Sequence, residues 1–112
     1  MALKGVNAVK VTTGLASVYT VPAGFQTRYI SLIFCNSHST VVSMTVHHIP
    51  TGGSATDPDN LLIEHNTDTQ LVAGETREEG YSRVMNAGDS IEVKASGTNK
   101  VILHFSCEEV AV

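Results

Sequence analysis

The clearest alternation of side chains along this sequence lies between Gln26 and Cys35. One face of this segment carries Ile30, Leu32 and Phe34, and the other carries Tyr29, Ser31, Ile33 and Cys35. Successive side chains of a strand point to opposite faces, and each of these two faces carries mostly apolar side chains. The pattern predicts a central strand that is covered on both sides.

Further short segments with β-branched or alternating residues follow the same rule. They lie at 8–12, 15–21, 40–49, 61–63, 71–72, 81–85, 90–95 and 100–107. In the segment 40–49 the even-numbered apolar residues should face the core, and Ser43, Thr45 and His47 should face water. Turn residues every 8 to 12 positions and the absence of a helical period predict an all-β, antiparallel β-sandwich of eight or nine short strands with almost no helix. The residues expected at the interface between its two sheets are Ile30, Leu32, Phe34, Val42, Met44, Val46, Ile91, Val93, Leu103 and Phe105.

The connections refine this picture. Residues 36–39 and 96–99 are expected to close hairpins, and Val21–Gly24 is expected to form a type I turn with proline second and glycine fourth. Similar Ala-Gly turns recur at 72–75 and 86–89, and residues 75–80 read as a charged connection. The long segment 50–60 favours a jelly-roll crossing over a simple meander, and it is either a binding loop or a surface connection with no binding role.

Length and charge limit the classes of function. A chain of 112 residues fits one core, which predicts an N-terminal arm at 1–7 and a single domain at 8–112. The net charge is −4 and basic residues are scattered, so neither nucleic acid nor a membrane is an expected partner. No signal-peptide pattern is present, so we expect the chain to fold in the cytosol where it is made, with Cys35 and Cys107 reduced.

No pattern of chemically reactive residues predicts catalysis. His47 and His48 are neighbours on a strand and should point to opposite faces, which argues against a shared zinc ion. Asp57 and Asp59 form an oxygen-rich loop without the ligand spacing of an EF-hand, so calcium is the weaker alternative there. The sequence therefore predicts no enzyme, no catalytic or metal site and no cofactor.

Several segments together resemble small virion structural proteins of tailed bacteriophages. They are Tyr19-Thr20-Val21-Pro22-Ala23-Gly24, the strand into Cys35-Asn36-Ser37, residues 41–47, Gly52-Gly53-Ser54 and residues 87–97. The resemblance implies a jelly-roll-like fold without catalysis and placement in the virion, most often as a capsid decoration (cement) protein that binds and stabilises the outer shell. The alternative is a tail, tail-fibre or receptor- or carbohydrate-binding β-sandwich module.

The expected partners are the major capsid protein or another virion protein, together with further copies of the chain, with a trimer favoured. Exposed strand edges have to be covered, and partner strands can cover them. The candidate contact residues are Leu3, Val6, Asp57, Asp59, Arg77, Glu78 and Glu79. Leu3 and Val6 are apolar residues of the arm, whose alternative role is a frayed end, and the charged residues could form ion pairs at the rim of an interface.

Overall fold

The computed structural model describes residues 2–53, 61–63, 70–81, 84–97 and 100–112. Over these ranges the chain forms nine strands and no helix. The strands are β1 Ala2–Lys10, β2 Ala16–Thr20, β3 Phe25–Asn36, β4 Val42–Ile49, β5 Leu61–Ile63, β6 Gln70–Leu71, β7 Thr76–Tyr81, β8 Ser90–Ala95 and β9 Val101–Ala111. The described strand pairs are all antiparallel.

The strands form two sheets. One has the order β1-β9-β3-β7, and the other has the order β2-β8-β4-β5, with β6 pairing the start of β4 and β5 pairing its end. When β5 and β6 are counted as one position, each sheet has four positions. Two four-stranded sheets in this order, between which the chain repeatedly crosses, constitute a jelly roll. The predicted all-β jelly-roll sandwich is confirmed.

The two predicted hairpins are not formed. Residues 36–42 connect β3 to β4 and residues 95–101 connect β8 to β9, and each connection joins strands of different sheets. Turn residues indicate that the chain reverses direction, but they do not indicate which strand becomes the hydrogen-bonded neighbour. Both hairpin predictions were therefore wrong.

The core lies between the two sheets. The ten residues expected at the interface are each at most 3% exposed; they are Ile30, Leu32, Phe34, Val42, Met44, Val46, Ile91, Val93, Leu103 and Phe105. Tyr19 of β2 stacks on Phe105 of β9 with ring centroids 4.9 Å apart, which joins the sheets through an aromatic pair. The predicted core is confirmed.

The strand β4 is buried on both faces, although one face was expected to meet water. Ser43, Thr45 and His47 are all buried. Because β4 has a paired strand on each side, its short side chains lie beside longer neighbours, such as Lys94 opposite Thr45. Alternation of polar and apolar residues does not reveal this shielding, and the prediction of a solvated face was wrong.

Three turns are built around an Ala-Gly pair. In each, the N–H of the fourth residue donates to the carbonyl of the first, from Phe25 to Pro22 at 3.2 Å, from Glu75 to Val72 at 3.0 Å and from Asp89 to Asn86 at 2.9 Å. The glycines Gly24, Gly74 and Gly88 are the third residues and have φ of 82°, 75° and 88°. A positive φ at this position is typical of a type II turn. The first turn thus starts at Pro22, one residue later than predicted.

Asn36 joins three segments at one end of the molecule. Its Nδ2 group donates to the carbonyls of Thr40, Leu71 and Val72 at 2.9, 3.0 and 3.1 Å, and its Oδ1 accepts from the N–H of His38 at 2.9 Å. The end of β3, the crossing to β4 and the segment after β6 are therefore held together by one buried side chain.

The strand β7 occupies most of the segment that was predicted as a charged connection. It is an edge strand, and its register places Arg77 opposite Phe34 and Glu79 opposite Leu32. The two charged side chains are therefore directed to the inner face at the margin of the sandwich, where both residues are half-buried. In the sequence, these closely spaced charged residues suggested a loop. On an edge strand, charged side chains that point inward discourage pairing with further strands. The strand expected at 81–85 thus lies earlier in the chain.

The strand β1 forms the opposite edge of the same sheet. It pairs with β9 in regular register from Ala2 to Val6, with Leu3 opposite Glu108 and Gly5 opposite Ser106, and the register shifts between Val6 and Val9. The strand runs across the boundary at residue 7 that the sequence suggested between an arm and a domain.

Candidate interaction surface

The chemically reactive side chains that the structure describes do not gather into one centre. Within the described ranges, no group of three or more His, Cys, Asp and Glu residues is placed to hold a metal ion, and no helix could span a membrane. His47 stands opposite Glu92 and His48 opposite Ile91 on β8, so the two rings are on opposite faces of β4. Burial and the nearby Lys94 lower the pKa of His47.

Asp89 anchors one end of the molecule. Its carboxylate accepts from the N–H groups of Thr51 and Asn86 at 2.9 and 3.0 Å and from the Thr51 hydroxyl at 3.2 Å, and it lies 3.2 Å from Nε2 of His48. Burial alone would raise the pKa of Asp89, but these hydrogen bonds outweigh it and hold the pKa below its ordinary value. The carboxylate fixes the turn 86–89 against the start of the segment after β4.

A second polar cluster connects the sheets inside the core. The Tyr19 hydroxyl donates to Glu109 Oε2 at 2.5 Å and lies 2.8 Å from Thr27 Oγ1. Burial first, and then the bond to Glu109, raise the pKa of Tyr19, and burial raises the pKa of the nearby Cys107 thiol. Cys35 and Cys107 are both free thiols. This cluster links β2 of one sheet to β3 and β9 of the other by hydrogen bonds and so stabilises the packing of the two sheets.

The outer face of the sheet β1-β9-β3-β7 contains a groove of about 290 Å³ beside the β1 edge. It is bordered by Leu3, Lys4, Gly5, Tyr29, Ser106 and Glu108, among other residues. Register explains the depression, because Gly5 lies opposite Ser106, Ser106 opposite Ser31, and Ser31 opposite Gly80. A row of residues with small or absent side chains therefore crosses all four strands.

Tyr29 borders this groove in a strained conformation. It lies where the register between β3 and β9 shifts, between Arg28 and Ser31, and it has φ of 56° and is 59% exposed. A bulky residue with positive φ is uncommon, and such strain is concentrated at functional sites. The outer face of β3 is thus only partly covered, contrary to the prediction of a strand covered on both sides. The alternation of residues already places Tyr29 on this outer face, but it gives no sign of the register shift beside it.

The structure separates the predicted contact residues. Leu3 and Val6 lie on β1, whereas Arg77, Glu78 and Glu79 lie on β7 at the other edge of the same sheet, and Asp57 and Asp59 fall outside the described residues. Leu3 borders the groove and is 90% exposed. Gly5 and Tyr29 were not predicted as contact residues, and only the paired register brings them beside Leu3.

Another apolar surface lies at the end of the sheet β2-β8-β4-β5. Val41 precedes β4 and Val72 follows β6, and both are exposed. Pairing of Val42 with Leu71 makes Val41 and Val72 neighbours. We call these two residues the apolar end.

No protein-family model and no curated protein matches this chain. Among solved structures, it is similar to a chain in the crystal structure of the T13 infectious bursal disease virus (IBDV) particle, with a TM-score of 0.50 and 11% identity over 96% of this chain and 30% of that chain. Chains from the structures of the virus strains Gx and Gt give TM-scores of 0.48 and 0.45 at 12% and 10% identity, covering 96% and 98% of this chain and 32% and 33% of theirs. This chain thus spans about a third of the length of each. At this identity, the likeness to the T13 particle establishes a shared fold.

Proposed function

We propose that this chain is a structural protein of a virus particle, and that it decorates the outer shell of a tailed bacteriophage and stabilises it. The observation that carries the proposal is the jelly-roll strand order, together with its likeness over 96% of the chain to part of a viral particle. Jelly rolls occur in viral capsids and also in lectins and cupins. The resemblance of the Tyr19–Gly24 and 87–97 segments to tailed-phage virion proteins favours the phage and decoration assignment, with the major capsid protein as the partner.

We also propose that the protein acts by binding and not by catalysis. Perturbed pKa values can mark an active site, but they also arise in structural networks. Here the perturbed groups hold parts of the fold together, since Asp89 fixes two loops and Tyr19 joins the two sheets. Glu75 does the same at the other end, where it accepts from the Val72 N–H at 2.9 Å and from Arg77 at 3.0 Å.

The apolar end is the proposed contact with the shell. Two neighbouring exposed aliphatic side chains at the end of a sheet can be buried against a partner without strand exchange. Val84 is a matched control, because it is a valine of similar exposure outside this surface.

The test uses empty expanded capsids of the phage that encodes the chain and measures co-sedimentation of the purified protein. We expect saturable binding, and we expect Val41→Glu and Val72→Glu to weaken it at least tenfold while Val84→Glu leaves it unchanged. Absence of the protein from purified virions, combined with no sedimentation with capsids, would refute the decoration role.

A receptor- or carbohydrate-binding module of a tail or fibre is the second candidate. The observation that favours it is the exposed ring of Tyr29 beside a groove, because an aromatic ring with an apolar face and a polar tip suits a ligand with both characters. Binding to immobilised bacterial surface glycans that is lost in Tyr29→Ala, without capsid binding, would favour this candidate.

A further inference from the structure

The β1 edge differs from the other sheet edges that the structure describes. β7 carries the inward-directed charges of Arg77 and Glu79, β2 has five residues with a register shift between Ser17 and Tyr19, and β5 and β6 have three and two residues. β1 has nine residues and pairs regularly with β9 over Ala2–Val6. A long regular edge presents backbone N–H and C=O groups that a further strand can pair with.

The outer face of this regular stretch carries a protrusion and a hollow. Leu3 is 90% exposed, whereas a Cβ atom added at Gly5 would meet nothing within 4 Å. The two positions are symmetric about Lys4, which is also the midpoint of the stretch Ala2–Val6. An antiparallel pair of identical strands with its two-fold axis at Lys4 sets Leu3 of each copy opposite Gly5 of the other, and both side chains stay on the outer face.

We propose that β1 pairs with β1 of a second copy of this chain across a two-fold axis at Lys4. Leu3 of each copy then fills the hollow over Gly5 of the other, beside Ser106 and Tyr29, and the two sheets become one eight-stranded sheet. The surface complements itself, which is the requirement of an isologous contact. This inference does not depend on the role in a virion.

The size of the contact sets its strength. Five residues at about 3.4 Å each, across the 20 Å thinnest extent of the molecule, give roughly 350 Å² per copy and roughly 700 Å² in total. Stable complexes bury about 1,200 Å² or more. The pair is therefore weak, dissociates on dilution and forms where copies are concentrated. It closes at two copies and thus differs from the trimer expected from the sequence.

The charge of Lys4 gives the contact a distinct salt dependence. The two ammonium groups lie near the axis on the inner side of the sheet, because Lys4 is opposite Cys107. Like charges directly opposite on paired strands are unfavourable, and salt screens them. Added salt should therefore strengthen the pair, and Lys4→Gln should tighten it roughly two- to five-fold at low ionic strength.

The first experiment is sedimentation equilibrium of the full chain up to millimolar concentration. We expect a monomer–dimer equilibrium that Gly5→Val weakens at least tenfold, because the new side chain occupies the hollow. Gly80→Val is the matched control, since it also adds a side chain in open space on the outer face, but at the β7 edge. A monomer at all concentrations, a trimer, or equal effects of both substitutions would overturn the proposal.

The second experiment tests the register directly. Residues directly opposite on antiparallel strands have Cβ atoms about 4.5–5.5 Å apart, close to the range that a disulfide can bridge. Lys4→Cys is placed in a Cys107→Ser background, because Cys107 lies directly opposite residue 4 on β9 and would capture the new thiol within the same chain. This variant should form a covalent dimer under mild oxidation, whereas Lys10→Cys in the same background, on the same strand beyond the register shift, and the wild type with Cys35 and Cys107 should stay monomeric. Equal cross-linking of Lys4→Cys and Lys10→Cys, or none in Lys4→Cys, would contradict a two-fold axis at Lys4.

Discussion

Replacement of Asn36 by alanine tests the assignment of this residue as the junction of three segments. The side chain of Asn36 is fully buried and makes contacts with four backbone groups. Two N–H hydrogens serve three carbonyls, so one donor is shared, and we count three hydrogen bonds, including the one accepted from His38. At about 1 kcal/mol each, their loss costs about 3 kcal/mol.

The expected loss of unfolding free energy also depends on how deeply the backbone carbonyls that lose their Asn36 partner are buried. The bond to the Leu71 carbonyl is buried, so that group loses its partner without gaining water, at a cost of about 1–3 kcal/mol. The bonds to Thr40 and Val72 are partly buried, so water can replace part of what is lost. We therefore expect a loss of about 3–4 kcal/mol, a large part of the roughly 5–15 kcal/mol stability of such a domain.

Asn36→Asp separates the hydrogen bonds from the volume of the side chain. Its carboxylate turns an oxygen toward three carbonyl oxygens, so the ionised form is disfavoured and the folded-state pKa of the new carboxyl group rises. The penalty is absent below the unfolded pKa, grows as pH rises from about 4 and is complete above the folded pKa.

Urea unfolding followed by circular dichroism measures these changes. We expect Asn36→Ala to lower the midpoint with an unchanged slope, and Asn36→Asp to lose more stability at pH 7 than at pH 4. Asn86→Ala is the control, because the exposed Asn86 side chain accepts one 3.1 Å bond from Gln26 and should cost less than 0.5 kcal/mol. A loss below 1 kcal/mol in Asn36→Ala would refute the argument.

Four further predictions follow from the fold. Phe34→Ala should cost about 3–5 kcal/mol in urea unfolding because it empties space between the sheets, and a loss below 1 kcal/mol would contradict this core. Asp89 has a lowered pKa, so its contribution is present above the unfolded pKa and is lost as pH falls below about 4; Asp89→Asn should flatten this acid limb of the stability curve, and an unchanged limb would assign it to other carboxylates. Tyr29→Gly should raise stability by up to about 1 kcal/mol by relieving the positive φ, and a lower melting temperature would show that contacts of the ring outweigh the strain. The melting temperature should not respond to chelator or reductant, and a drop of several degrees would reveal a metal ion or disulfide that contributes to folding.

The residues of the core were predictable because buried positions appear in the sequence as a local alternation of apolar residues. The alternation of Ile30, Leu32 and Phe34 assigns these side chains to one face regardless of which strands lie beside β3. The sequence contains no comparable local signal for which strands pair with each other. Apart from β4 with β5, neighbours in each sheet are not consecutive in the chain, and the hairpin predictions failed for this reason.

The candidate surface was predictable only in part. Leu3 stood out as an apolar residue in a segment without a core pattern, and the structure places it at an exposed edge. Gly5 and Tyr29 gain their meaning from register, since Gly5 forms a hollow only because Ser106 and Ser31 continue the row across the sheet. Arg77, Glu78 and Glu79 were predicted as contact residues from their composition, and that stays a prediction. Only the register shows that Arg77 and Glu79 point inward along an edge strand.

The distribution of protected edges connects the fold to assembly. A jelly roll without a closed barrel must leave strand edges at its margins, and each edge is a potential site of uncontrolled pairing. Here β7 is protected by inward charge and β2, β5 and β6 are short, whereas β1 is long and regular over Ala2–Val6. In the proposed pair, the single charge on that stretch, Lys4, would weaken the contact without preventing it, so copies would remain separate when dilute and pair when concentrated. Such a contact would depend on local concentration and salt, which would suit the proposed role of a protein that collects on the surface of a shell.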